Sequence, residues 1–299
     1  MHMSLWQQYL RPQNLADALQ ALSVRGDSGE AVAVVAGGTD LLLDLHQGRH
    51  AAVETLVDVT DVQEMLEIRQ DGEFIFVGAA VPLREVINDD LVRSHFTALV
   101  EACELIGGPQ VRNVATLGGN VAHALPAGDG TIALLALGAE AEIASANGAK
   151  WVSMEELFVS PGQPSFDRAL ELVVRFRVSA SRKGEGSAFR RVMRPQGVAI
   201  AILNMGARLR VDEVGIVREA RLAIGPAGPR PVRARATEQA LIGSELDEAS
   251  LSNALAALSG EVSLRTSPHR ATKEYRGHLL DSLLRQTLEA AAPSKEHVE

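Results

Sequence analysis

The sequence predicts an α+β protein of two domains, residues 1–178 and residues 179–299. Three observations lead to this prediction. A chain of 299 residues is long enough to bury two cores. Residues 31–59 read as strand, turn, helix and strand, whereas the part after residue 186 reads as three strands followed by three helices. A polar, glycine-containing stretch between these parts, residues 179–186, is the best boundary.

The N-terminal part of the first domain, about residues 1–60, is predicted to be a small βαβ unit. Apolar residues have helical spacing over residues 14–22, where Asn14 is a suitable N-cap. The apolar run 31–35 is expected to be a buried strand, residues 41–46 a short helix and residues 55–59 the next strand. Because strands joined through a helix run parallel, these elements predict a small parallel sheet.

The larger part of the first domain, about residues 61–178, is predicted to mix strands and helices. Strands are expected at 73–78, 139–145, 149–152 and 170–178, and Pro82 is expected at the first position of a helix. Residues 91–106 have the spacing of one amphipathic helix, and Asp129 is a natural cap for an apolar helix at 131–137. Residues 107–129 read as one loop, and loops of this length are usually functional or disordered.

The second domain is predicted to form a small antiparallel sheet covered by helices. Strands are expected at 187–193, 198–210 and 216–224, followed by helices at 235–242, 247–258 and 268–291. The pair Ser267-Pro268 is a suitable start for the last helix, which carries one stripe of leucines.

Composition and charge exclude several classes of function. The net charge is −9 and the basic residues are scattered, so a nucleic-acid partner is not expected. The one cysteine, Cys103, is expected in the core and cannot form a disulfide, an iron–sulfur cluster or a cysteine-rich zinc site within this chain. We see no secretory signal and no apolar run long enough to enter a membrane, so a cytoplasmic location is expected.

Two glycine-containing segments are the strongest functional signals. The first reads Ala36-Gly37-Gly38-Thr39-Asp40-Leu41, and the second, residues 109–120, reads PQVRNVATLGGN. Consecutive glycines at a strand-to-helix turn let several backbone N–H groups point at one anion, and a helix N-terminus adds a favourable dipole. Each segment alone is also compatible with a tight turn that binds nothing. Asp40 disfavours phosphate unless its carboxylate caps the helix.

Together, the two segments resemble the FAD subunit of the molybdenum hydroxylases, the family of xanthine dehydrogenase and of the medium subunit of aerobic carbon monoxide dehydrogenase. Residues 126–129, and residues 270–276 with the sequence RATKEYR, extend the resemblance over nearly the whole chain. It implies a PCMH-type FAD-binding domain of two subdomains, followed by the C-terminal α+β domain.

The resemblance also implies which residues hold the cofactor. Backbone N–H groups of residues 36–40 would cradle the FAD pyrophosphate, residues 116–120 would hold phosphate and ribityl oxygens, and Asp129 would bind a flavin or ribityl hydroxyl. Residues 158–166 resemble the segment that shields the isoalloxazine ring. The implied cofactor-binding residues are Val35, Ala36, Gly37, Gly38, Thr39, Asp40, Leu41, Ile106, Gly107, Thr116, Gly118, Gly119, Asn120, Asp129, Phe166 and Arg194.

By the same resemblance, the chain would be the FAD-carrying electron-transfer subunit of a larger complex. It would take electrons from [2Fe–2S] clusters on a small subunit and pass them to NAD⁺ or another acceptor. Molybdopterin would lie on a large subunit, and the complex would be a dimer of heterotrimers. Since flavin exchanges electrons here, no catalytic side chain and no metal site are expected in this chain. The single cysteine disfavours the hydroxybenzoyl-CoA reductase branch, which carries an inserted cluster segment.

Two other functions remain open from the sequence. The chain can be a stand-alone FAD-dependent oxidoreductase of a related fold, which would turn over a substrate by itself. It can also be a non-catalytic assembly module that keeps the fold but binds no flavin.

Overall fold

The computed structural model describes residues 5–195 and 200–293. A three-stranded parallel sheet lies near the N-terminus, with strand order β1-β3-β2. Its elements are β1 (Gln8–Leu10), α1 (Leu15–Ser28), β2 (Val32–Val35), α2 (Leu41–His46) and β3 (Thr55–Asp58). This confirms the predicted parallel sheet and adds the short edge strand β1. Asn14 caps α1 as predicted, because its Oδ1 accepts a hydrogen bond from Asp17 N at 2.9 Å.

An antiparallel sheet of five strands follows, in the order β4-β5-β10-β6-β7. A two-stranded antiparallel ribbon, β8 with β9, lies between β7 and β10 in the sequence. The strands are β4 (Ile68–Asp71), β5 (Phe74–Gly78), β6 (Glu140–Ser145), β7 (Gly148–Ser153), β8 (Phe158–Ser160), β9 (Gln163–Pro164) and β10 (Leu172–Ser179). The four predicted strands of this part are confirmed, whereas β4, β8 and β9 were not predicted.

The helices of this part differ from the prediction in three ways. They are α3 (Leu83–Asn88), α4 (Asp90–His95), α5 (Thr97–Leu105), α6 (Pro109–Arg112), α7 (Leu117–Ala122) and α8 (Asp129–Leu137). The single helix predicted at 91–106 is wrong, because the fully buried Phe96 has φ −135° and ψ 58° and separates α4 from α5. The prediction that residues 107–129 form one loop is wrong as well, since this segment contains α6 and α7. Pro82 is the N-cap of α3 rather than its first residue.

The C-terminal part is an antiparallel sheet with three helices, as predicted, but the sheet has four strands where three were predicted. The elements are β11 (Glu185–Val192), β12 (Leu203–Val211), β13 (Val217–Gly225), β14 (Val232–Arg233), α9 (Arg235–Leu241), α10 (Glu248–Glu261) and α11 (Lys273–Ala291). The last helix begins later than the predicted residue 268, because Thr272 Oγ1 accepts a hydrogen bond from Tyr275 N at 3.2 Å and caps it. The predicted start of β12, at residue 198, lies outside the described residues.

The C-terminal sheet has two buried faces. One face packs against α5 and α8, which share a core with the five-stranded sheet, and the other packs against α11. The contact with α8 is close: a Cβ added to Gly206 of β12 would lie 3.0 Å from Ala136 Cβ. Helices α5 and α8 therefore connect the two large sheets. Across the described residues we find no helix with the length and apolarity that a membrane span requires.

Candidate cofactor-binding site

The two glycine segments, remote in sequence, touch each other in the fold. A Cβ added to Gly37 would lie 2.6 Å from Val114 C and 2.7 Å from Ala115 Cα, so only glycine allows this approach of two backbones. Ala115 is itself held in place, because its carbonyl oxygen accepts a hydrogen bond from Leu83 N at 2.8 Å. The structure thus brings together the segments that the sequence analysis paired. We call residues 36–41 the first bend and residues 114–120 the second bend.

The first bend connects β2 to α2, and its backbone N–H groups at residues 36–40 are unpaired as far as the described residues go. Gly38 has φ +67°, a left-handed conformation that glycine adopts without strain. No N–H group of residues 36–40 donates a hydrogen bond to another described residue. Asp40 is exposed and its side chain makes no cap hydrogen bond, so the capping role considered for it is absent. Several unpaired N–H groups at a helix N-terminus fit a pyrophosphate.

The two glycines of the second bend have different surroundings. Gly118 is buried, its N–H donates to Ala79 O at 2.9 Å, and an added Cβ would lie 2.6 Å from Ala79 Cβ. Packing against Ala79 therefore requires a glycine at position 118. Gly119 is exposed, and its N–H donates to Oγ1 of Thr116, the N-cap of α7, at 3.0 Å. A ligand can approach the backbone at Gly119 but not at Gly118.

Asn120 joins the second bend to α8. Its Oδ1 accepts a hydrogen bond from Thr131 N at 3.2 Å, and an added Cβ at Gly130 would lie 3.0 Å from the same oxygen. The Nδ2 group of Asn120 donates to no described residue. This amide is thus oriented by α8 while its donor stays available.

Ile106 and Gly107 lie at the end of α5, where the chain turns toward the second bend. Gly107 has φ +57°, and Arg112 donates from Nη1 to the carbonyl oxygens of Gly107 at 2.8 Å and Ile106 at 3.3 Å. Arg112 therefore holds the turn that leads into the second bend. The predicted contact of Ile106 and Gly107 with the cofactor stays a prediction.

Asp129 was predicted to cap α8, but it is the first residue of this helix, and Gly128 is the N-cap. Its buried carboxylate accepts hydrogen bonds from Arg191 Nη1 at 2.5 Å and Asn204 Nδ2 at 2.7 Å. Burial raises the pKa of Asp129, and the two donors oppose that effect. Neither Arg191 nor Asn204 was predicted from the sequence. A signal for Asn204 exists, since it is a lone polar residue in the apolar stretch 201–207.

Phe166 is buried in the core that also contains Phe158, so its side chain supports the fold around the ribbon of β8 and β9. The turn of this ribbon contacts the chain just after α7, because Gly162 N donates to Ala124 O at 2.9 Å. Ala124 has φ +55°, which is uncommon for a residue with a Cβ. The segment 158–166 therefore lies at the C-terminal end of α7, the helix whose first residues belong to the second bend.

Arg194 is separate from the other predicted residues. It is exposed and donates from Nη2 to Arg270 O at 3.5 Å, near the start of α11. Three residues earlier on the chain, Arg191 makes the contact with Asp129 described above. The structure thus joins Arg191, and not Arg194, to the residues of the candidate site.

Cys103 is fully buried in the core, as predicted, and burial raises the pKa of its thiol. In residues 5–195 and 200–293 no three side chains of His, Cys, Asp or Glu are grouped in a way that could hold a metal ion.

Comparisons with known proteins identify the family of the chain. Residues 4–179 match the family described as FAD binding domain in molybdopterin dehydrogenase, and residues 187–291 match CO dehydrogenase flavoprotein C-terminal domain. The chain is 31% identical to the xanthine dehydrogenase FAD-binding subunit of Escherichia coli O157:H7 over 286 residues, 95% of each chain. It is 27% identical to the carbon monoxide dehydrogenase medium chain of Afipia carboxidovorans over 292 residues, 95% of this chain and 96% of the relative.

The fold also matches a solved structure, a chain of reconstituted CO dehydrogenase from Oligotropha carboxidovorans. The TM-score is 0.89 at 26% identity, with 99% of this chain and 100% of that chain covered. From the matches over both parts of the sequence, the chain belongs to the family of FAD-binding subunits of the molybdenum hydroxylases, and it is an oxidoreductase subunit whose cofactor is FAD.

Proposed function

We propose that this subunit takes electrons from [2Fe–2S] clusters of a partner subunit and passes them through FAD to NAD⁺ or another acceptor. The observation that carries the proposal is the contact between the two bends, with the unpaired N–H groups of residues 36–40 on one side of it. FAD supplies the chemistry, because it can exchange electrons both singly and in pairs. The chain supplies binding and orientation.

The residues divide this work by chemistry. The free N–H groups of the first bend would hold the pyrophosphate, for which unpaired backbone donors at a helix N-terminus are suited. The Nδ2 donor of Asn120 would hold ribityl or phosphate oxygens, and the exposed Gly119, whose N–H already donates to Thr116, would let the cofactor come close to the backbone. Asp129 is engaged by Arg191 and Asn204, so its carboxylate would orient a hydroxyl rather than remove a proton. Val35, Leu41, Ile106, Gly107 and Phe166 would shape the walls, whereas Arg194 would require a change of position to take part.

The relatives support a multi-subunit setting. Their names describe a FAD-binding subunit and a medium chain, and this chain has one cysteine, too few for a cluster of its own. We infer a complex with a large molybdopterin-binding subunit and a small [2Fe–2S] subunit, arranged as a dimer of heterotrimers in the cytoplasm. We also propose that residues 1–178 and 179–299 are its two domains.

The proposal is tested on the complex purified from its host. The complex is reduced with dithionite without oxygen, the excess is removed, and NAD⁺ or ferricyanide is added while flavin and cluster absorbance are followed. We expect the acceptor to be reduced by the intact complex and much more slowly by a complex stripped of FAD, with recovery on adding FAD back. Equal rates with and without FAD would refute the proposed electron path.

The isolated chain provides the second arm of this test. Substrate oxidation by the chain without partners would favour the stand-alone oxidoreductase. A colourless chain that takes up no FAD, within a complex that still reduces the acceptor, would favour the assembly module.

A further inference from the structure

The C-terminal sheet clamps the segment that connects the second bend to α8. Asn204 of β12 donates from Nδ2 to Ala127 O at 3.2 Å and to Asp129 Oδ1 at 2.7 Å. Beside it, a Cβ added to Gly225 of β13 would collide with Pro126 O and lie 2.9 Å from Ile132 Cδ1. Residues 126–129 are therefore pressed against two strands that lie much later in the sequence.

Arg191 of β11 completes this clamp. Its Nη1 donates to Asp129 Oδ2 at 2.5 Å, and the side chains of Arg191 and Asp129 are 5% and 7% exposed. Among residues 5–195 and 200–293, each carboxylate oxygen of Asp129 thus has one donor, and both donors come from the C-terminal sheet. A buried carboxylate of this kind is strongly destabilised if one of its partners is removed.

The clamp connects to the second bend through the first turn of α8. Asp129 begins the helix, Thr131 N in the same turn donates to Asn120 Oδ1, and Asn120 belongs to the second bend. A shift of Asp129 would therefore move Asn120 and the end of the second bend. The coupling follows from direct contacts and needs no change of fold.

The group formed by Asp129, Arg191 and Asn204 leaves some of its own hydrogen-bonding atoms unpaired. Arg191 Nε and Asn204 Oδ1 are both buried and have no hydrogen-bond partner in the described part of the chain. Buried polar atoms without partners reduce stability, so their presence in a native cluster calls for an explanation. A requirement to hold Asp129 in one orientation gives such an explanation.

We propose that Arg191 and Asn204 are positioning residues for the flavin: through Asp129 and Asn120 they set how tightly and in which orientation the subunit holds FAD. This inference rests on the assignment of FAD to the two bends. It implies that the part of the chain matching the FAD-binding family does not define the cofactor site alone, because two of the residues that order the site lie in the C-terminal sheet.

The test uses the assembled complex carrying Asn204→Ala or Arg191→Gln, stripped of FAD and titrated with FAD by quenching of flavin fluorescence. Losing one hydrogen bond to a buried charge should weaken FAD binding about tenfold or more. The visible circular dichroism of the bound flavin should change as well, which a purely structural role would not require. Arg191→Lys, which keeps the charge, should recover part of the affinity.

Arg190→Gln is the matched control. Arg190 lies next to Arg191 on β11. Like Arg191, it bonds to a residue of the proposed first domain, because its Nη1 donates to Glu101 Oε1 of α5 at 2.7 Å, but it contacts neither bend. It should lower the melting temperature without changing FAD affinity more than about twofold. If Asn204→Ala and Arg191→Gln both fold and bind FAD as the wild type does, with the same circular dichroism, the inference is wrong. If the wild-type complex itself binds no FAD, it is the assignment of FAD that fails.

Discussion

Replacing Gly37 by alanine tests the contact between the two bends. The added Cβ would lie 2.6 Å from Val114 C and 2.7 Å from Ala115 Cα, whereas ordinary contacts to a Cβ begin at 3.4 Å. Both neighbours are backbone atoms, and Ala115 O is tied to Leu83 N. No side chain can rotate away, so the two bends must separate by roughly 1 Å.

This separation has two measurable consequences. Overpacking of this kind should lower the free energy of unfolding by about 1–3 kcal/mol. FAD held by both bends would lose contact with one of them, and each lost hydrogen bond to a charged group weakens binding by about 1.5–3 kcal/mol, or about tenfold or more. We therefore expect the variant to be purified with little FAD. The assays are the ratio of flavin to protein and the midpoint of urea unfolding.

Gly277→Ala is the control for this substitution. Gly277 lies within α11, and a Cβ added there meets no atom within 4 Å. The exchange should raise stability by about 0.5–1 kcal/mol, because alanine favours the helix, and should leave the flavin content unchanged. A Gly37→Ala protein with wild-type flavin content and wild-type stability would refute the reasoning, since the bends would then not touch.

Three further predictions concern the same region and the small parallel sheet. Gly119→Leu should abolish FAD retention while the far-ultraviolet circular dichroism stays native, because Gly119 is exposed and its nearest neighbour to an added Cβ is Thr116 Oγ1 at 3.2 Å; retained flavin would contradict the assignment of the second bend. Thr116→Val removes the N-cap of α7 and should lower stability by about 1 kcal/mol in urea unfolding, a loss that Thr116→Ser should largely avoid. The hydrogen bond to Asp58 and partial burial raise the pKa of Tyr9 to about 12. This contribution to stability is present below about pH 10, the ordinary tyrosine pKa, and is lost as the pH rises to about 12; unfolding curves of Tyr9→Phe should lack this loss.

Much of the fold is encoded in local patterns. The apolar runs before the first bend and at residues 55–59 predicted the parallel strands β2 and β3, and the paired glycines predicted where the chain turns. The break at Phe96 was not predictable in this way, because the apolar spacing continues through it and burial of the ring decides the geometry. Helices α6 and α7, with four and six residues, are too short for periodicity to reveal.

The site shows the same division between local and tertiary information. Glycines mark both bends in the sequence, because close approach of backbones requires them. The contacts of Asp129 with Arg191 and Asn204 depend on how the C-terminal sheet docks against α8, which no local pattern records. An arginine in the right region was expected, yet the expected one, Arg194, lies beyond the end of β11 and contacts Arg270 instead.

The position of the two bends, beside different sheets of the subunit, affects how much of the protein the cell maintains. One bend follows a strand of the three-stranded sheet, and the other lies among the helices that cover the five-stranded sheet. FAD bound to both bends would link the three-stranded sheet to the five-stranded sheet. Part of the free energy of unfolding of the subunit would then come from FAD binding, and it would increase with the logarithm of the free FAD concentration. Cells short of riboflavin would then contain less of this protein, through faster unfolding and degradation, as well as less of its activity.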